Sequence, residues 1–308
     1  GHSADSRIHA MAYKPAPVQV TYLGYPDTTG MSQIDYRFTD SIADPAGSEK
    51  FYTEELFYLP DSFLCFGPGK IQPPVALLPF LQNKHITFGC FNNSSKINFV
   101  IIGLWARILK QVSNSKLLLK FRSGQDDEIR EMFIKRFEEV GISSDRIAIS
   151  GRLPSPAHLE LYNQVDIALD TFPYNGTTTT CQSLLMGVPV ISLAGQHHMS
   201  RVGLSILTHL GLEFFAAATP EEYVKKAVVL ASKPESLAKI RFSMRARMAA
   251  SSLCNKNLFA RNIEQAYRTM WRRWCDSQDK NISNKSAGEN STIVQSQPAK
   301  VGSLTFLF

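Results

Sequence analysis

Between residues 85 and 275 the apolar positions alternate between two rhythms. Short apolar runs at 85–91, 116–121 (KLLLKF), 146–150, 166–169 and 188–193 read as strands. Runs of this kind, without polar alternation, suit a sheet covered on both faces. Between them the period lengthens. Ile101, Trp105, Ile108 and Val112 recur at three- and four-residue spacing and predict a helix over 99–112. Ile129, Phe133, Phe137 and Val140 predict another over 126–140, which Gly141 stops. Ser155-Pro156 opens a helix with a capping residue and a first-turn proline. A helix over 177–187 follows the strand ending at Leu169. Thr219, with Glu222 three residues on, starts one over 223–232. The segments 236–250 and 257–275 also read as helical. Strands separated by helices imply the α/β class, a parallel sheet and right-handed crossovers. Ligands in such sheets sit at the carboxyl ends of the strands, so the informative loops follow residues 91, 150 and 169.

Two composition shifts divide the chain. Residues 67–84, GPGKIQPPVALLPFLQNK, are rich in proline and glycine and read as an extended linker. They separate a short segment, 1–66, from a longer one, 85–275. From Asp276 the sequence turns to Ser, Asn, Gln and Lys, and 276–308 is expected to be a disordered tail.

Charge and composition narrow the function. With 44% hydrophobic and 19% charged residues, the 308-residue chain has an ordinary globular balance. No run approaches the ~18 apolar residues needed to span a bilayer, and Gly1-His2-Ser3-Ala4-Asp5 does not open a signal peptide. Five cysteines, an odd number with no Cys-x-x-Cys pair, point to free thiols in a reducing compartment, the cytoplasm, and away from structural zinc. The net charge is +6, yet the longest basic cluster is Arg272-Arg273. Neither nucleic acid nor membrane is an expected partner. Adjacent His197 and His198 lack neighbouring carboxylates, so no metal site is expected.

The loops carry the chemistry. After Leu169 comes DTFPYNG and then Thr177-Thr178-Thr179-Thr180 at the head of a helix. A helix N-terminus offers unpaired N–H groups and the positive end of a dipole, which suits phosphate. Gly176 lets the backbone approach closely, and the threonine hydroxyls add donors. The plain alternative is that Thr177 or Thr178 merely caps the helix. In the first loop, Lys96 can reach a phosphate at the same sheet edge, or it is simply a solvated lysine. In the second, His158 in a first turn can bond a sugar or base, or is a partly buried histidine with a local partner. Gln182, one turn beyond Thr178, can bond a ribose hydroxyl. No P-loop and no Gly-x-Gly-x-x-Gly dinucleotide fingerprint occurs.

These residues resemble a known family. LDTFPYNGTTTTC at 169–181, MGVPV at 186–190, Arg201-Val-Gly, FGCFNN at 88–93 with Lys96, and Trp105-Ala-Arg-Ile-Leu109 resemble the protein O-GlcNAc transferases and their SPINDLY-type relatives. So do PAPVQVTYLGYPDTTG at 15–30 and IDYRFTD at 34–40. The resemblance spans roughly residues 1–275. It implies a GT-B fold: two Rossmann-like lobes with a nucleotide sugar between them. Residues 1–66 would be the end of the first lobe and 85–275 the nucleotide-sugar-binding lobe. It implies inverting, metal-independent transfer of GlcNAc from UDP-GlcNAc to Ser/Thr of proteins, with no cofactor. Two alternatives stay open: GDP-fucose as donor, and nucleotide binding without turnover. Family members usually carry upstream tetratricopeptide repeats, and the histidine discussed as their base falls upstream of Gly1.

Lys96 matches the lysine that neutralises the diphosphate leaving group, a stabilisation of developing charge. Asn93 matches a phosphate-side position that is Gln in the animal enzymes. Thr178 and Thr179 match threonines at the diphosphate, while Thr177 stands where the animal enzymes have His. His158 matches a histidine packed on the nucleotide, and Leu153 a backbone contact to the base. Gln182 replaces an acid that meets the ribose. Asp40 matches a lobe-interface aspartate and is carried as a candidate catalytic residue.

Overall fold

The computed structural model of the chain describes residues 6–292. Two parallel sheets organise it. The smaller holds β1 (Val20–Thr21), β2 (Tyr36–Thr39) and β3 (Glu55–Tyr58), side by side in that order. The larger holds β4 (Thr87–Cys90), β5 (Lys116–Lys120), β6 (Ile147–Ser150), β7 (Ile167–Leu169), β8 (Val190–Leu193) and β9 (Ala216–Ala217). Its order is β6-β5-β4-β7-β8-β9, with every pairing parallel. Every residue of β4, β7 and β8 is buried, as expected of strands covered on both faces. Gly89 is required at the centre of β4, because a Cβ there would sit 2.7 Å from the Val165 side chain.

Helices complete the layers. α1 (Phe80–Asn83) is short; α2 (Phe99–Gln111) and α3 (Asp127–Glu139) follow β4 and β5. α4 (Ser155–Glu160), α5 (Thr178–Leu185) and α6 (Val202–His209) follow β6, β7 and β8. α7 (Pro220–Ala231), α8 (Pro234–Ala250) and α9 (Lys256–Thr292) close the chain. Their boundaries follow local chemistry. The Asn98 side chain accepts from Ile101 N–H (3.0 Å) at the head of α2, and Thr219 accepts from Glu222 N–H (3.1 Å) at the head of α7. Gly141, at φ +78°, ends the α3 segment in the left-handed region. On α2, Ile101, Trp105 and Ile108 are buried, the stripe that the spacing predicts. The strand order reverses between β4 and β7, so right-handed crossovers send α2 and α3 to one face and α5 and α6 to the other. The crevice at this reversal is where ligands bind in open α/β sheets. The first and third loops singled out in the sequence open into it.

Two expectations need correction. The second lobe does not extend to residue 275. α9 turns back, and its Phe259, Ile263, Ala266 and Met270 pack with Val20, Phe38 and Phe57 of the small sheet and with Leu59 just beyond it. Helical periodicity shows that a stripe is buried, not which lobe buries it. Nor is all of 276–308 disordered: α9 runs on to Thr292. A polar segment cannot bury itself, but it can prolong a helix already nucleated at little cost. The remainder of the expected tail, 293–308, lies outside the described residues.

The chain passes between the lobes twice, at neighbouring points. Residues 67–79 form one crossing and the turn before α9 the other, and Phe66 N–H donates to Leu253 C=O at 2.8 Å. The proline-rich crossing is pinned, not free. Arg241 donates to Ala76 C=O (2.8 Å), Arg245 to Pro73 C=O (2.8 Å), and Phe80 N–H donates to Asp166 (2.9 Å).

Candidate active site

Asp170 organises the crevice. It follows β7 directly and is 2% exposed. Its Oδ1 accepts from Gly176 N–H (2.7 Å), Thr171 N–H (2.9 Å) and Asn92 Nδ2 (3.2 Å), and its Oδ2 from Ser192 Oγ (2.8 Å). The loop after β7 is thereby folded onto the loop after β4. Burial lifts the Asp170 carboxyl to about 6, against the pull of Gly176 N–H, the Ser192 hydroxyl, the Lys96 charge and Thr171 N–H. Behind it, Trp105 Nε1 donates to the Tyr223 hydroxyl (3.0 Å), which donates to Asp170 C=O (2.9 Å).

Asn92 links both sides. Its Oδ1 accepts from Thr179 Oγ1 at 2.7 Å. Gly176 sits in the angle between them: a Cβ there would lie 2.4 Å from Thr179 Oγ1 and 2.9 Å from Asn92 Oδ1. The space that a side chain at Gly176 would need is thus filled by Thr179 and Asn92. Thr177 occupies the cap position of α5, yet its side chain makes no capping bond. The capping alternative therefore fails for Thr177, and no threonine side chain at that position covers the head of α5. Thr178 is exposed at the first helical position, and Thr179 is half-buried behind it.

Lys96 comes from the opposite loop. Its Nζ donates to Asn175 C=O at 2.8 Å and lies 3.5 Å from the centre of the Tyr174 ring. Burial holds its ammonium below the ordinary lysine range, with the Asp170 charge opposing. Among the described residues no carboxylate forms an ion pair with it. Asn93 is exposed, and its side chain accepts from Ser95 N–H (3.1 Å), shaping the turn that carries Lys96.

The second loop, after β6, brings in the remaining candidates. His158 Nε2 donates to Gln182 Oε1 at 3.0 Å, so these two are brought together. The His158 Nδ1 is buried without a hydrogen-bond partner. Burial holds this imidazole below the usual histidine value, outweighing its bond to Gln182, so the ring is neutral at pH 7. It lies in an aromatic group with Tyr162 and Phe91, at ring distances of 5.6 and 6.0 Å. Leu153 is half-buried in the loop leading into α4.

Asp40 stands apart from this group. Its Oδ1 accepts from Ile42 and Ala43 N–H, its Oδ2 from Phe63 N–H (3.0 Å) and Ser205 Oγ (2.7 Å), and His209 Nε2 is 3.6 Å away. Burial raises its carboxyl, but His209 and these donors outweigh that and hold it at about 2. At 2% exposure it has no open face for a substrate. Asp40 lies at the lobe interface, where its carboxylate ties the end of β2 to α6. Asp44 does the same, accepting from His198 Nδ1 (2.7 Å) and the Tyr52 hydroxyl (2.8 Å). His198 is thus an interlobe bond, and among the described residues no group of three or more His, Cys, Asp or Glu could hold a metal.

The profile of glycosyl transferase family 41 matches residues 1–71 and 78–263. The chain belongs to family 41. It is 46% identical over 277 residues to a Solanum lycopersicum protein named probable UDP-N-acetylglucosamine–peptide N-acetylglucosaminyltransferase SPINDLY, covering 90% of this chain and 30% of that one. The Arabidopsis thaliana protein of the same name is 46% identical over 279 residues, covering 89% and 30%. An O-GlcNAc transferase mutant from Thermobaculum terrenum superposes with a TM-score of 0.83 at 35% identity, covering 88% of this chain and 52% of that one. The fold is accordingly the two-lobed GT-B fold. The chain spans about 30% of the length of these curated relatives.

Against this family 41 background, sequence reasoning passed over Asp170, Asn92, Tyr174 and Asn175. The available signal was an aspartate closing a buried apolar run, Ile167-Ala168-Leu169-Asp170, at a loop that must open to the crevice.

Proposed function

We propose that this family 41 chain forms the donor-binding part of an inverting glycosyltransferase that moves GlcNAc from UDP-GlcNAc to Ser/Thr hydroxyls of proteins. One observation carries the reading: Lys96, unpaired with any carboxylate among the described residues, and the head of α5, lacking a Thr177 cap, converge at the strand-order reversal. Breaking the bond from the sugar to its diphosphate leaves negative charge on the phosphate oxygens. A lysine and helix N–H groups fixed beforehand stabilise that charge. On this reading no metal is required, because Lys96 and the α5 dipole supply the positive charge. His158 and Gln182 then face the nucleoside, and Leu153 the base. The names of the curated relatives favour the UDP sugar. The five unpaired thiols support a cytoplasmic setting.

Calorimetric titration with UDP, and separately with GDP, tests this. Micromolar UDP binding is expected, weakened by Lys96→Ala roughly 10- to 100-fold, the loss of one charge-assisted bond. Thr178→Ala should weaken it less. Tighter GDP binding would move the donor to GDP-fucose, and a Lys96→Ala chain that binds as well as the parent would sink the assignment.

A further inference from the structure

Lys96 raises a problem of design. A lysine that must meet a diphosphate needs to be held in place before the ligand arrives, since ordering its four-carbon stem costs entropy. The common restraint is a carboxylate, but a carboxylate neutralises the charge and competes with the phosphate. Among the described residues Lys96 has no such ion pair. Asp170, the nearby acid that acts on it through charge, spends its oxygens on Gly176, Thr171, Asn92 and Ser192. What touches the ammonium is the Tyr174 ring, 3.5 Å from Nζ, and one backbone carbonyl.

From this contact we infer that Tyr174 is a positioning residue of the donor site, holding Lys96 over its ring without neutralising it. The inference rests on the reading of Lys96 as the diphosphate lysine. An aromatic face attracts a cation through its quadrupole and carries no net charge to cancel it. The ring is itself held from behind. Tyr174 C=O accepts from Thr171 Oγ1 (2.6 Å), and Asn175 donates through Nδ2 to Thr171 C=O (2.9 Å). Asn175 Oδ1 accepts from Gly203 N–H (3.2 Å) and its own N–H donates to Met199 C=O (2.9 Å). Tyr174 is still 37% exposed, so the ring is fixed by its backbone while remaining open to the crevice. An ammonium has three donors. One is spent on Asn175 C=O and one is directed at the ring, which leaves one for an arriving diphosphate while both contacts persist.

The test combines a ligand-free readout with a binding cycle. In 13C-lysine-labelled chain, a lysine εCH2 signal assigned by Lys96→Ala is expected upfield of the other lysines, from the ring current. It should stay there in Tyr174→Phe and return to the common position in Tyr174→Leu, which matches the bulk without the ring. UDP and GDP titrations are then run on the parent, Tyr174→Phe, Tyr174→Leu, Lys96→Ala and the Lys96→Ala/Tyr174→Leu double variant. Tyr174→Phe should bind within about twofold of the parent, and Tyr174→Leu about 3- to 30-fold more weakly. In the Lys96→Ala background, Tyr174→Leu should cost nothing further. An unshifted lysine signal overturns the inference. So does a Tyr174→Leu loss that is absent, or that persists undiminished without Lys96. A shifted signal in a chain whose nucleotide binding ignores Lys96→Ala overturns instead the donor-site reading: the contact exists, but it serves no diphosphate.

Discussion

Two buried aspartates show how the same side chain takes opposite signs. Asp170 has its carboxyl raised to about 6 by burial, so the folded state holds its proton more tightly than the unfolded chain does. Its contribution therefore erodes stability as pH rises from about 4 to 6, by roughly 3 kcal/mol in all, and is flat above that. Asp40 is held at about 2 by its donors. Its contribution is complete above about pH 4 and is lost as pH falls towards 2, by roughly 2 kcal/mol. Urea unfolding of Asp170→Asn across pH 4–7 should lose the first slope relative to the parent. The same titration of Asp40→Asn should flatten below pH 4 and show lower stability at neutral pH.

At the scale of elements, the turn between β7 and α5 depends on one missing carbon. Gly176→Ala should abolish diphosphate binding in the titration described above and cost about 1–3 kcal/mol in unfolding, because the new Cβ collides with Thr179 and Asn92. Asn98→Ala removes both the α2 cap and a donor to Phe172 C=O (2.8 Å), the anchor of the same loop. It should cost about 1 kcal/mol, read as a lowered melting temperature. The alternation of strands and helices in 85–250 was legible because burial on both sheet faces leaves uninterrupted apolar runs. So was the strand-to-helix turn after Leu169, because Asn175-Gly176 breaks the apolar run and the threonines follow at a helix head. The small sheet was not legible: β1 is two residues long, and its partners are not evident from local spacing. The Asp170 network escaped because it joins Asn92, Gly176 and Ser192, positions that only the parallel register brings together.

At the scale of the molecule, the two lobes are joined by bonds that exclude water. Asp44 and His198 are 1% and 3% exposed as side chains and face each other across the interface at 2.7 Å. Asp40 and Ser205 are bonded nearby, and Arg201 donates to Ile42 C=O (2.9 Å). Removing one partner of a buried pair strands the other. Asp44→Ala should therefore cost about 3 kcal/mol or more, measured by chemical unfolding. Its melting transition should also be less cooperative than the parent's, as the first lobe separates from the second.

The adjacency of Phe66 and Leu253 has a consequence for synthesis. Everything between those residues forms one continuous insertion whose entry and exit lie a hydrogen bond apart, a geometry that suits excision and circular permutation. The small sheet, by contrast, is translated before the larger lobe but lacks its covering helix until Met270 has left the ribosome. The larger lobe can therefore fold as a unit first, and the small sheet must wait for α9 to close over it.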